Sequence, residues 1–191
     1  MSSAALRSEH GLTLTELIVV SFVLIILTGL IWGTFATESR VYRVETARGT
    51  TISNLRLWTA RMVKDIRNAN YDPLGTAGAA ISTASPQDFE FTVDFDKNGA
   101  INTSDAREKL GYRLNGTSLQ LLQATTWRTI VSDVSSLTFT YWDYQGNQVN
   151  GTSPYSSFQD IAEVRMSITA EAEEGTFSET GRAYIRNPNS L

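Results

Sequence analysis

The sequence predicts an α+β fold, in which a long N-terminal helix, membrane half plus amphipathic half, packs on an antiparallel β-sheet. Three observations predict it. No residue from Leu17 to Thr37 carries a charge, and apolar side chains fall on every face of a helix drawn through that stretch. After it, Val41, Val44, Ile52, Leu55, Trp58, Met62 and Ile66 recur at roughly helical spacing between polar residues. From Asp88 onward the period changes to two.

The uncharged stretch is 21 residues long. At ~1.5 Å per residue it reaches about 30 Å, the hydrocarbon thickness of a bilayer. Residues 12–37 are therefore read as a membrane-spanning helix and 38–70 as its amphipathic continuation, the helix running from about Leu14 to Asn68. Gly49-Thr50-Thr51 is a weak patch, because glycine and β-branched residues are poor helix formers. Pro73 marks the end.

Glu16 opens the apolar run, where a carboxylate at bilayer depth costs roughly 3 kcal/mol. One account is local: Thr13-Leu-Thr-Glu16 has the spacing of a capping box. The other looks to the residues before it. Gly11-Leu12-Thr13-Leu14-Thr15-Glu16-Leu17, followed by the apolar helix, resembles the class III signal of type IV pilins and secretion pseudopilins. The resemblance implies that residues 1–11 are a leader removed by prepilin peptidase, with cleavage between Gly11 and Leu12 and N-methylation of Leu12. Leu12 departs from the phenylalanine most common there. Cleavage would leave a cationic α-amino group on Leu12. That group and the Glu16 carboxylate of a neighbouring subunit could neutralise each other as helices pack into a filament, which would set the axial register.

The 191 residues leave one soluble domain of ordinary size beyond the span. There is no cysteine, and the one histidine, His10, lies in the expected leader. The mature chain would then lack thiol and imidazole chemistry, so a structural role is expected and not an enzymatic one. Arg7 precedes the span while Arg40, Arg43 and Arg48 follow it. Counting positive charges favours a cytoplasmic head; the resemblance implies the reverse, a periplasmic head on an inner-membrane anchor and later a place in a pilus at the cell surface. Residues 40–67 carry a net charge of +5 and residues 68–191 a net −7. An acidic head argues against direct nucleic-acid binding, and basic stalks could contact acidic heads of neighbours.

Within the head, residues 71–191, the stretch 74–86 is rich in Gly, Ala, Ser and Thr and reads as a surface loop. Residues 89–93 alternate. Residues 109–114 and 118–123 read as a hairpin turning at Asn115-Gly116. Leu137, Phe139 and Tyr141 share a strand face, as do Val164, Met166, Ile168 and Ala170, and 177–185 is the last strand. The total is one antiparallel sheet of five or six strands. Trp58, Trp127 and Trp142 are read as core or cross-strand packing residues.

Residues 94–105, DFDKNGAINTSD, match an EF-hand-like loop position by position. Asp94, Asp96, Asn98, Asn102 and Asp105 put oxygens at places 1, 3, 5, 9 and 12, Gly99 falls at 6 and the Ala100 carbonyl at 7. The expected cofactor is one calcium ion, with Asp105 in place of the usual glutamate. A short helix is expected to start at Asp105. The alternative is an Asp-, Asn- and Gly-rich turn with no ion.

Arg61-Met-Val-Lys-Asp-Ile-Arg67, Asn70-Tyr-Asp-Pro73 and Tyr112-Arg-Leu resemble the PilW group of minor type IV pilins, and Val134–Gly146 is similar to a segment shared with J-type pseudopilins of type II secretion. The resemblance implies a minor pilin that primes or caps a type IV pilus, with other pilin subunits as partners through the N-terminal helix. The rivals are a J-type pseudopilin and a membrane-tethered binding module or adhesin.

Overall fold

The computed structural model describes residues 13–149, 161–172 and 175–185. Among these residues one helix, α1 (Leu14–Ile66), precedes eight strands. The chain divides into two compact units between Thr46 and Ala47.

In the first unit the described residues leave the helix exposed on its faces. Leu17 through Phe35 present their large apolar side chains to the exterior on all sides. The hydroxyls scattered among them turn inward: Ser21 donates to the Leu17 carbonyl at 2.8 Å, Thr28 to Leu24 at 2.7 Å and Thr37 to Gly33 at 3.1 Å. Each polar group is thereby satisfied within the helix, which is what an apolar surround requires. Among the described residues α1 is the one helix long and apolar enough to cross a membrane.

In the second unit the helix becomes one-sided. Leu55, Thr59, Met62 and Ile66 are buried, a spacing of four, three and four that keeps them on one stripe. Helical structure includes Gly49-Thr50-Thr51 and stops at Ile66, two residues before the expected end. Asn68 bonds back through its amide to the Lys64 carbonyl at 3.2 Å, and Asn70 takes a left-handed conformation (φ 62) that redirects the chain.

The strands are β1 (Ile81–Ala84), β2 (Asp88–Thr92), β3 (Lys109–Asn115), β4 (Ser118–Gln123), β5 (Thr126–Val131), β6 (Val134–Trp142), β7 (Glu163–Ala172) and β8 (Gly175–Tyr184). They form two antiparallel sheets, β1-β2-β3-β4-β5 and β6-β7-β8, where the sequence predicted one sheet of five or six strands. Three differences have local reasons. The stretch 74–86 is not all loop, because Ile81 and Ala84 are buried and β1 pairs with β2. The edge strand β5 buries only Val131, so its alternation carries little apolar signal. The β3–β4 turn is Gly116-Thr117 with Gly116 at φ 62, while Asn115 pairs with Ser118 inside the ladder.

The core of this unit joins both sheets to the helix. The Phe89 ring lies 5.8 Å from Tyr141, 5.9 Å from Phe139 and 5.5 Å from Phe91. The Tyr141 hydroxyl donates to the Ser85 carbonyl at 2.6 Å and the Phe139 amide to Pro86 at 2.7 Å, tying β6 to the β1–β2 corner. On the other side α1 lies close on β8. A Cβ at Gly181 would sit 2.9 Å from both Thr59 Cγ2 and Val63 Cγ2.

Candidate functional site

Two places carry the residues that the sequence singled out. At the start of α1, Gly11 and Leu12 lie outside the described residues. Glu16 forms the reciprocal cap that its spacing allows. Its carboxylate accepts from the Thr13 amide and hydroxyl, both at 2.9 Å, and the Glu16 amide donates to Thr13 Oγ1 at 3.3 Å. In the single chain this carboxylate therefore has a local partner.

The second place is the connection between β2 and β3. The ladder ends at the Thr92–Lys109 pair and is extended by one bond, from the Val93 amide to the Glu108 carbonyl at 2.9 Å. That bond closes the neck of the loop, so residues 94 and 108 emerge side by side although fourteen positions separate them. The neck is also held to the end of α1. Asn70 donates to the Thr92 carbonyl at 3.2 Å, Asp94 to Tyr71 at 2.8 Å, and Tyr112 on β3 to the Asp65 carboxylate at 2.6 Å. Burial, then the negative Asp65, push the Tyr112 phenol well above its ordinary range, so it stays a donor.

Inside the loop, Asp94 is fully buried. Its carboxylate accepts from the Asn98 and Gly99 amides at 3.1 Å each. Asp96, exposed, accepts from the Asn98 amide at 3.1 Å and side chain at 2.8 Å. Gly99 is at φ 78, and a Cβ there would meet Thr76 Oγ1 at 2.5 Å, so a larger residue at position six would be strained. The Ala100 amide donates to Asn98 Oδ1 at 2.8 Å. The Asn102 side chain turns to the Ser104 amide at 3.0 Å.

Asp105 is engaged elsewhere. Its carboxylate binds Arg107 through Nη2 at 2.7 Å and Nε at 3.1 Å and accepts the Arg107 amide at 2.8 Å. The Arg107 side chain and amide pull its pKa down to about 2. The expected helix after Asp105 is a run of turns. The carboxylate that joins Asp94 and Asp96 is Glu108, which the twelve-residue reading left out. One carboxylate oxygen from each of the three lies within 4.8 Å of the others. The structure thus brings two of the sequence-named oxygens together, adds one from outside the frame and ties Asp105 to an arginine.

A family model described as prepilin peptidase-dependent protein B matches residues 50–186, which take in the last third of α1 and strands β1 to β8. No curated protein matches the chain.

Proposed function

Because the chain belongs to the prepilin peptidase-dependent protein B family, we propose that it is a structural subunit of a type IV filament, a minor pilin that primes or caps a pilus. The observation that carries this reading is the pairing of such a head with an apolar helix opened by a single acid. Among the described residues of the first unit, the stretch from Leu17 to Thr37 offers no charge, leaves its large side chains exposed and satisfies its hydroxyls internally. Such a helix is stable in a bilayer or among other apolar helices.

In this reading prepilin peptidase cuts between Gly11 and Leu12, Leu12 is N-methylated, and the chain waits in the inner membrane with its head in the periplasm. On assembly Glu16 exchanges its Thr13 cap for the terminal amine of a neighbour. The exchange replaces two bonds from neutral Thr13 donors with an ion pair in which both partners are charged, an attraction that an apolar surround strengthens. The J-type pseudopilin of a secretion filament is the second reading, favoured only by the likeness of Val134–Gly146 to a segment of that group.

The test is intact mass of the native N-terminus with and without the peptidase, and the content of sheared fibres. A processed, methylated Leu12 and fibres that contain the wild type but lack Glu16→Leu are expected. An unprocessed N-terminus, or Glu16→Leu assembled normally, would reject the reading. Loss of protein export with pili intact on deletion would move the chain to the secretion filament.

A further inference from the structure

We propose that the β2–β3 loop holds one calcium ion between Asp94, Asp96 and Glu108, and that Glu108, outside the twelve-residue frame, is the ligand that closes the site. This does not rest on the filament reading.

Three facts carry it. First, Glu108 is fully buried, and its Oε1 has no hydrogen-bond partner among the described residues. Its other oxygen accepts the Asn102 amide at 2.7 Å, which draws the far side of the loop over the cluster. A buried carboxylate oxygen left without a donor is costly, and a cation among the three carboxylates removes that cost. Second, none of the three carboxylates forms an ion pair among the described residues. The adjacent arginine, Arg107, is spent on Asp105 and stacks on the Phe95 ring at 4.8 Å. Third, the oxygens already lie within the span of one ion. Two ligands on a calcium ion at 2.3–2.6 Å stand at most about 5 Å apart, and these three lie within 4.8 Å.

The donor set selects the metal class. Among the described residues it contains oxygen alone, which suits a hard cation over zinc or copper. Calcium accepts such irregular shells, whereas magnesium demands a tight octahedron and keeps its waters. In this proposal Asn98 and the Ala100 carbonyl, at places 5 and 7 of the loop, would contribute further oxygens, with water making up the remainder. Asp105 is not needed in it, since its two oxygens serve Arg107. The bound ion would pin the neck of the loop where Asp94 and Glu108 emerge, and through the Asp94–Tyr71 bond the end of α1.

The experiment is thermal unfolding of the full chain in detergent, in EDTA and at ~5 mM calcium chloride or magnesium chloride, with isothermal titration of calcium. Wild type should melt about 2–9 °C higher in calcium and titrate with a Kd of about 10⁻⁴–10⁻³ M, the range of extracellular sites. Glu108→Gln and Asp96→Asn should lose the shift, while Asp105→Asn keeps it. Asp96 is exposed, so Asp96→Asn gives the answer even where Glu108→Gln fails to fold. No calcium shift in wild type, a shift retained in Asp96→Asn or Glu108→Gln, or equal stabilisation by magnesium would overturn the proposal. Loss in Asp105→Asn would return the closing role to Asp105 and overturn the assignment to Glu108.

Discussion

The two halves of α1 share one secondary structure and opposite fates. In the first unit Ile25 is 70% exposed and Ile31 68%; in the second Met62 and Ile66 are at 0%. Composition separates them in part, since Leu17 to Thr37 carries no charge whereas residues 40–67 interleave apolar residues with charged ones. Arrangement separates them as well. In the second half the apolar residues fall on one stripe and a sheet covers it, whereas in the first they face every direction and no single surface could cover them. One half of α1 thus completes a core with the sheets, and the other needs surroundings supplied from outside.

The widest test of that contrast removes side-chain volume from each half. Met62→Ala should cost the head about 2–5 kcal/mol, read by urea unfolding of the full chain in detergent through tryptophan fluorescence. Ile25→Ala should leave the same transition in place. A similar loss from both would mean that the halves are not distinct in what they stabilise.

Glycine sharpens the comparison with a smaller effect. Gly181→Ala puts a methyl against Thr59, Val63 and Met166 and should destabilise by about 1–3 kcal/mol, since helix and strand must separate. Gly49→Ala meets nothing within 4 Å in a helix and should stabilise by up to about 1 kcal/mol. Thermal melts of the two variants should therefore move in opposite directions. A stabilised Gly181→Ala would show that the helix does not lie tightly on β8.

The smallest expected effect is electrostatic. Glu163 on β7 is buried and held by Arg182 and Arg165; these bonds, Arg182 foremost, keep its carboxyl below the ordinary glutamate value of 4.5. A depressed carboxylate adds stability above its unfolded pKa, and that stability disappears as pH falls through the folded value. Wild type should therefore lose stability below about pH 4.5, and Glu163→Gln should flatten that part of the profile. An unchanged acid limb in the variant would remove Glu163 from the account.

The helix stripe at Leu55, Met62 and Ile66 and the alternations of β2, β6 and β7 were legible because each repeats its own period several times. What was missed repeats too little or depends on distance through space. β1 has four residues and β5 one buried side chain. The division into two sheets turns on the corner at Asp133, in a left-handed conformation (φ 61), which no periodicity signals. Glu108 escaped because spacing was counted along the loop, whereas the ladder brings it back beside Asp94. Continuing the Thr92–Lys109 pairing one step outward from the β2 and β3 alternations would have set Val93 against Glu108 and found it. The tryptophans are expected as core or cross-strand packing residues; Trp127 and Trp142 are half-buried on strands and lie under arginines, with the Arg113 guanidinium 4.0 Å and the Arg165 guanidinium 3.9 Å from their ring centres.

Those stacked rings have an optical consequence. Trp58, Trp127 and Trp142 each sit in the second unit under a guanidinium, while Trp32 stands in the uncharged stretch of α1, 72% exposed and with Phe35 6.3 Å away. The chain thereby carries two sets of natural chromophores with separate surroundings. Emission from Trp32 follows the polarity around the first half of the helix, shifting to the blue as lipid or neighbouring helices replace water. The other three report on the head alone. Trp32→Phe divides the signals, so insertion and head folding can be followed in one unlabelled sample.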